Sequence, residues 1–284
     1  MINWFFQYKV KKIIDNDINT EDIYNSKKIL FCLFTRYGDT IIDLVVIQEF
    51  IKEYPDKDYL ILCPKQMKPY VNEITPNIKC LAINKRNWFE LFKIDSFLKK
   101  WDPDIGFNPW SNGLDSCYFI SYCDKFLFYK DFYKPNIINH YQVVRRYLKL
   151  PEKDWAINEL ILKESYKKIL ICPQSTDTKR NISSDHLNRL IIDFISIYNH
   201  PEITIASMDK SHFRDNCKNF LFEKKDHSSL KFIDLMKKNE LVVCSDSGPL
   251  HIAIAMKKDL LAIMKITLPE TVINSDSCLR INKY

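Results

Sequence analysis

An α/β architecture of two tandem doubly wound (Rossmann-like) domains is predicted by three features of the sequence. Short apolar runs of strand length alternate with longer segments of helical periodicity, and the alternation runs twice, over residues 27–150 and again over 168–264. A polar stretch carrying a proline, residues 151–159, breaks the rhythm between the two series. In both series the most distinctive polar loops come directly after a strand, where open parallel sheets bind ligands.

Residues 1–26 precede the first strand. Trp4, Phe5, Tyr8 and Ile13 mix with Lys9, Lys11 and Lys12 in an amphipathic pattern. That pattern suits first a helix packed on the protein's own body, since most amphipathic helices face a core, and second one lying on a membrane surface. Asp15-Asn16-Asp17 follows no strand and reads as a solvated turn.

The first series, residues 27–150, opens with a continuous apolar strand at 27–34, of the kind covered on both faces. Thr35-Arg36-Tyr37-Gly38-Asp39-Thr40 follows, then a helix through Glu53. Further strands are expected at 59–63, 79–83, 104–107 and 125–128, with helices at 65–74, 88–101, 114–123 and 136–150. Residues 151–165 are read as the linker. The second domain, 166–284, is expected to have strands at 168–172, 202–207, 220–222, 240–244 and 260–264, helices at 184–198, 211–218, 228–238 and 249–256, and a polar tail from Thr267.

The most informative stretch is Cys244-Ser245-Asp246-Ser247-Gly248-Pro249-Leu250-His251-Ile252-Ala253, a strand, a turn and a helix start. Ser247 is placed to cap the helix, Gly248 to allow an unusual turn, and Pro249 to fill the first turn, where its missing N–H costs nothing. Free N–H groups and the positive dipole end at such a helix start attract a phosphate, and Asp246 and His251 share that rim. The same sequence is also compatible with an ordinary βα turn. Glycine scarcity sharpens the reading: the chain has 4 Gly in 284 residues, against a usual ~7%. The four are expected where no side chain is tolerated: Gly38 and Gly248 at strand-to-helix turns, Gly106 and Gly113 flanking a strand end.

Bulk composition narrows the function. With 46% hydrophobic and 27% charged residues the chain describes a soluble globular protein. A net charge of +6 without a basic block argues against nucleic acid and fits an anionic surface or a phosphorylated ligand. Nine cysteines without a CxxC pair predict reduced thiols in the cytoplasm and no zinc site. No apolar run reaches the ~20 residues needed to span a bilayer, and Met1 to Lys12 lacks the order of a signal peptide.

Three loops at strand ends, 36–39, 174–179 and 246–251, are expected to line a cleft between the domains. Such a site suits displacement of a phosphate leaving group. Asp39 can take the proton of an acceptor hydroxyl as general base. Lys179 or Arg180, with the N–H groups after Asp246, can neutralise charge on a departing diphosphate. Asp39 is also placed to be a helix N-cap, and Lys179 and Arg180 also suit a solvated loop.

These residues resemble the heptosyltransferase-like glycosyltransferases of family 9, of the GT-B fold, over residues 27–264. Arg36-Tyr37-Gly38-Asp39 is similar to the family's R-x-GD, and Pro173-Gln174-Ser175 through Lys179-Arg180 looks like its loop ending in K-R-W. Asp246-Ser247-Gly248-Pro249-Leu250-His251-Ile252-Ala253 is close to D-[ST]-G-x-x-H-x-A. The resemblance implies an inverting, metal-independent transfer of heptose or a similar sugar to a bacterial surface glycan such as lipopolysaccharide core. The donor would be a nucleotide diphosphate sugar, with no cofactor. Asp39 would be the base, with Arg36 and Gly38 beside it on the acceptor side. Ser175, Lys179, Arg180, Asp246, Ser247, Gly248, Pro249 and His251 would bind the donor. Its partners would be the donor and a glycan or glycolipid acceptor; the basic balance and the amphipathic start suggest peripheral contact with an anionic inner membrane from the cytoplasm. Asn181 stands where the family has Trp, no Gly or Ala follows Pro173, and the polar tail leaves no long closing helix. A degenerate GT-B protein kept as a binding or scaffold subunit is the alternative. A nicotinamide-dependent oxidoreductase fits less well, since no GxGxxG is present.

Overall fold

The computed structural model describes residues 18–84, 87–109, 122–128, 139–153, 158–159, 161–207, 221–222, 229–273 and 278–283. The chain divides into two compact units, Met1–Pro135 with Gln142–Glu152, and Asn136–Tyr141 with Lys153–Tyr284.

In the first unit, β1 (Lys28–Cys32), β2 (Asp58–Pro64), β3 (Lys79–Ile83), β4 (Ile105–Asn108) and β5 (Lys125–Phe128) form a parallel sheet in the order β3-β2-β1-β4-β5. Ile29, Leu30, Phe31 and Cys32 are wholly buried, as a central strand covered on both faces requires. Because side chains alternate along a strand, Leu30 and Cys32 pack with Leu60, Leu62, Ile94 and Leu98. Phe31 joins the other layer, stacked on Phe107 at 5.6 Å and edge-on to Phe50 at 5.8 Å. The helices are α1 (Thr20–Asn25), α2 (Tyr37–Glu53), α3 (Lys68–Ile74, after a 3₁₀ turn at Lys65–Met67), α4 (Trp88–Trp101) and α5 (His140–Tyr147), whose first two residues belong to the second unit. Tyr147 fastens the end of α5, accepting the Asn108 N–H at 3.0 Å and donating to the Leu127 carbonyl.

Gly106 lies inside β4, between Leu30 and Phe126. A Cβ there would meet Phe126 Cδ2 at 2.4 Å and Cys123 Sγ at 2.7 Å, so only glycine fits without displacing its neighbours.

The second unit holds β6 (Asn158–Glu159), β7 (Lys168–Cys172), β8 (Glu202–Ala206), β9 (Leu221–Phe222), β10 (Leu241–Ser245), β11 (Asp259–Met264) and β12 (Cys278–Lys283). They form one parallel sheet in the order β6-β12-β11-β10-β7-β8-β9. Ile169, Ile171, Val243 and Ile263 share one core with Leu187, Leu190 and Phe194 of α6 (Ser184–Ile197). The remaining helices are α7 (Ser229–Lys238), α8 (Gly248–Ala255) and α9 (Pro269–Val272).

The expectation of a polar tail from Thr267 is corrected. A short helix and the six-residue strand β12 occupy that stretch, with Leu279 and Ile281 in register with Leu260 and Ala262 of β11. Part of the expected linker is likewise structured, because Asn158 and Glu159 pair with Cys278 and Leu279 at the sheet edge. The helix expected at 136–150 ends at Tyr147, and Lys149 takes a left-handed conformation that stops it. Residues 1–17, most of the helix expected at 114–123 and all of that expected at 211–218 lie outside the described residues. Cys32, Cys63, Cys123, Cys172 and Cys244 are buried and form no disulfide among the described residues.

Candidate functional site

In the second unit the strand order reverses between β7 and β10, which lie side by side with Cys172 level with Cys244. β8 and β9 continue on one side and β11 and β12 on the other. Loops leaving the carboxyl ends of the two strands at such a reversal diverge and open a crevice. The loop after β7 carries Ser175, Lys179 and Arg180; the loop after β10 carries Asp246, Ser247, Gly248, Pro249 and His251.

The first loop is closed by its own hydrogen bonds. Asn181 accepts the Ser175 N–H on its side-chain oxygen at 2.7 Å, and the Ile182 N–H reaches the Pro173 carbonyl at 2.9 Å. Lys265, just after β11, donates to the Asn181 carbonyl at 2.9 Å. Asn181 is therefore the loop's clasp. A 3₁₀ turn at Thr178–Arg180 then presents two cations in different settings. Lys179 is exposed, while Arg180 turns back and donates from Nη1 to Asp246 Oδ2 at 3.0 Å. Arg180 Nε is buried without a hydrogen-bond partner among the described residues.

Asp246 is buried, and Thr267 also donates its hydroxyl to Oδ2. The carboxylate thus joins the loop after β7 to the loop after β10 and also holds Thr267. Ser245 Oγ, at the end of β10, is buried with no partner among the described residues.

α8 begins with Gly248 and Pro249. Ser247 occupies the cap position but forms no side-chain cap; its hydroxyl donates to the Ser245 carbonyl at 3.1 Å. No described glycine has a positive φ, so Gly248 and Gly38 do not serve an unusual turn. Pro249 has no N–H, and Leu250 N–H bonds to the Ser247 carbonyl at 3.0 Å. The Gly248 N–H takes no protein acceptor among the described residues, as expected for the orphan donors of a helix start.

His251, in the first turn of α8, is buried. Its Nδ1 lies 3.1 Å from the hydroxyl of Tyr141, which is also buried. Burial lowers the imidazole pKa from 6.5 to about 4; Asp246 opposes that shift, and His140 and Arg180 add to it. The ring is neutral at physiological pH. Tyr141 is a site residue that sequence reasoning missed, as is Thr267. A tyrosine 110 positions away carries no local signal of the contact.

Arg36, Gly38 and Asp39 lie on the first unit, after β1, where the order of that sheet reverses between β1 and β4. Arg36 occupies the N-cap position of α2, without a side-chain cap, and is exposed. Asp39 is the third residue of the helix rather than its cap, half-buried, and accepts the Thr35 hydroxyl at 3.3 Å. An acidic group there is favoured by the helix dipole.

The model of glycosyltransferase family 9 (heptosyltransferase) matches residues 228–273, the segment holding α7, β10, α8, β11 and α9. No curated protein sequence matches the chain. Among solved structures, E. coli heptosyltransferase WaaC with ADP superposes with a TM-score of 0.69 at 9% identity, covering 90% of this chain and 93% of that one. E. coli ADP-heptose lps heptosyltransferase II gives 0.68 at 15% identity, covering 90% of each chain. The glycosyl transferase family 9 structure from Veillonella parvula DSM 2008 gives 0.68 at 13% identity, covering 91% of this chain and 86% of that one. Through residues 228–273 and through its GT-B fold, the chain is similar to the heptosyltransferase-like glycosyltransferases of family 9.

Proposed function

We propose that the chain transfers a sugar, heptose or a close relative, from a nucleotide diphosphate donor to a bacterial surface glycan such as lipopolysaccharide core. The observation that carries this reading is the Arg180–Asp246 pair, which joins the two motif loops at the reversal point of the second sheet. Arg180 Nε, the Gly248 N–H and the exposed Lys179 supply donors and positive charge for a diphosphate. That supply supports a metal-independent departure of the nucleotide, with no cofactor. ADP, the ligand of the similar WaaC structure, is the first nucleotide to test.

In the proposed step an acceptor hydroxyl oxygen forms a bond to the anomeric carbon as the bond to the donor phosphate breaks. Asp39 receives the hydroxyl proton, and the nucleoside diphosphate leaves with the electron pair. A single displacement inverts the anomeric configuration. Incubating the protein with ADP-sugars and lipopolysaccharide core acceptors tests it: nucleoside diphosphate release that depends on the acceptor is expected, and hydrolysis or no release with any acceptor counts against transfer.

Contact with an anionic membrane through residues 1–26 belongs to the same reading. Among the described residues no helix is long and apolar enough to cross a membrane. Flotation with anionic vesicles, weakened by salt and by deletion of residues 1–14, is the expected behaviour. Flotation unaffected by that deletion rejects the role of the segment.

A further inference from the structure

We propose that Tyr141 is a positioning residue of the donor site: by donating its hydroxyl proton to Nδ1 of His251, it holds the imidazole as the Nε2–H tautomer, a neutral donor for the diphosphate. This rests on the nucleotide-binding reading above.

The contact offers two arrangements, and the chemistry of the two groups selects one. A phenol carries a proton that needs an acceptor, and the Tyr141 ring is 1% exposed, so water is largely excluded. Among the described residues its hydroxyl has one partner, His251 Nδ1 at 3.1 Å. If Nδ1–H donated to the phenol oxygen, the phenol proton would be buried without an acceptor, the expensive outcome for a polar group. If the phenol donates to Nδ1, both groups are satisfied and the ring proton must sit on Nε2.

Protonation of the ring would destroy this arrangement, since an imidazolium has no acceptor. The surroundings prevent it. Burial disfavours the charged ring, and the neighbouring His140 and Arg180 disfavour it further; Asp246, held by Arg180 and Thr267, is the one group acting the other way. Tyr141 is ionised even less readily, because burial raises its pKa.

Tyr141 is held in place independently of its hydroxyl. Asn139 donates from its side-chain amide to the carbonyls of Glu270 at 2.8 Å and Ile273 at 2.7 Å, and its oxygen accepts the Tyr141 N–H at 2.9 Å. Asn139, directly before α5, thereby ties Tyr141 to the α9 region within the second unit. His251 stands in the first turn of α8, the turn that also carries the Gly248 N–H, and in the proposed arrangement its Nε2–H is a second donor there. The assignment makes His251 a hydrogen-bond donor and leaves proton abstraction to another group.

Nitrogen-15 NMR of the histidine-labelled full chain, together with ADP titration, tests the proposal. The wild type is expected to show His251 as Nε2–H at neutral pH. Tyr141→Phe keeps the ring and the Asn139 anchor but removes the donor to Nδ1; it is expected to move the His251 Nδ1 resonance toward that of an unbonded ring nitrogen and to weaken ADP binding about tenfold. A wild-type Nδ1–H tautomer overturns the proposal, as does Tyr141→Phe with unchanged His251 nitrogen shifts and ADP affinity. Should Tyr141→Phe fail to fold, the wild-type tautomer alone decides. A wild type with the expected tautomer that binds no nucleoside diphosphate removes the donor-site reading, and with it the role of Tyr141 there; the tautomer result itself stands.

Discussion

Arg180 and Asp246 meet at 3.0 Å across 66 positions of sequence, linking the loop after β7 to the loop after β10. The carboxylate side chain is 5% exposed and the guanidinium side chain 29%. Removing either partner therefore has different consequences. Arg180→Met strands a buried carboxylate with Thr267 as its remaining partner and is expected to cost about 1–3 kcal/mol, less than a fully buried pair because the arginine meets solvent. Asp246→Asn retains a side chain able to bond Thr267 and should restore part of that stability in the double variant. Urea unfolding of the two single variants and the double variant measures this, and strict additivity would contradict a direct pairing.

Asp39 separates a catalytic from a structural role in one substitution. As the third residue of α2, it gains a few tenths of a kcal/mol from the helix dipole, which Asn would lose without unfolding the unit. As a general base its loss should lower turnover by about 10²–10⁴-fold with donor affinity unchanged. Near-normal turnover by Asp39→Asn with the true donor and acceptor would eliminate the base.

The central strands and the strand-end loops were legible because their signals are local. Continuous apolar runs such as 29–32 and 241–244 announce buried parallel strands, and polar residues directly after them fall at the carboxyl edge by topology. The strands at the β6 end of the second sheet carry a weaker signal. β6 is two residues long and β12 alternates Leu279 and Ile281 with Arg280 and Asn282, so each is made a strand by its neighbour rather than by its own composition. Glycine scarcity marked positions that tolerate no side chain: Gly106 meets that expectation, since Phe126 and Cys123 crowd the strand, whereas neither Gly38 nor Gly248 has a positive φ. The Tyr141–His251 contact was not legible, because only the folded second unit brings Tyr141 against His251 of α8 across 110 positions.

His251 also makes stability depend on pH. Its native pKa, about 4, lies below the ordinary 6.5, so between those values the unfolded chain binds a proton that the native protein does not. Its contribution is fully present above pH 6.5 and is lost as pH falls toward 4. The facing charges are His140, Arg180 and Asp246, with the Tyr141 hydroxyl on Nδ1. His186, lowered by burial and by Arg189 and Lys265, adds to the same slope. The difference between wild type and His251→Gln isolates the His251 part: the variant should lose less stability on acidification, and parallel pH profiles from chemical denaturation would contradict a buried neutral His251.

Calorimetric titration of the full chain with ADP, set beside the same titration of Gly248→Val, tests the donor site most directly. Gly248 has no positive φ, so valine suits the backbone and the fold should survive, while its side chain intrudes on the start of α8. The account predicts saturable binding of ADP to the wild type at one site, weaker binding of AMP for want of the second phosphate, and no detectable ADP binding to a folded Gly248→Val. Equal ADP affinity in the two proteins would contradict the placement of the diphosphate on α8, and a wild type that binds neither ADP nor any other nucleoside diphosphate would contradict the donor site itself.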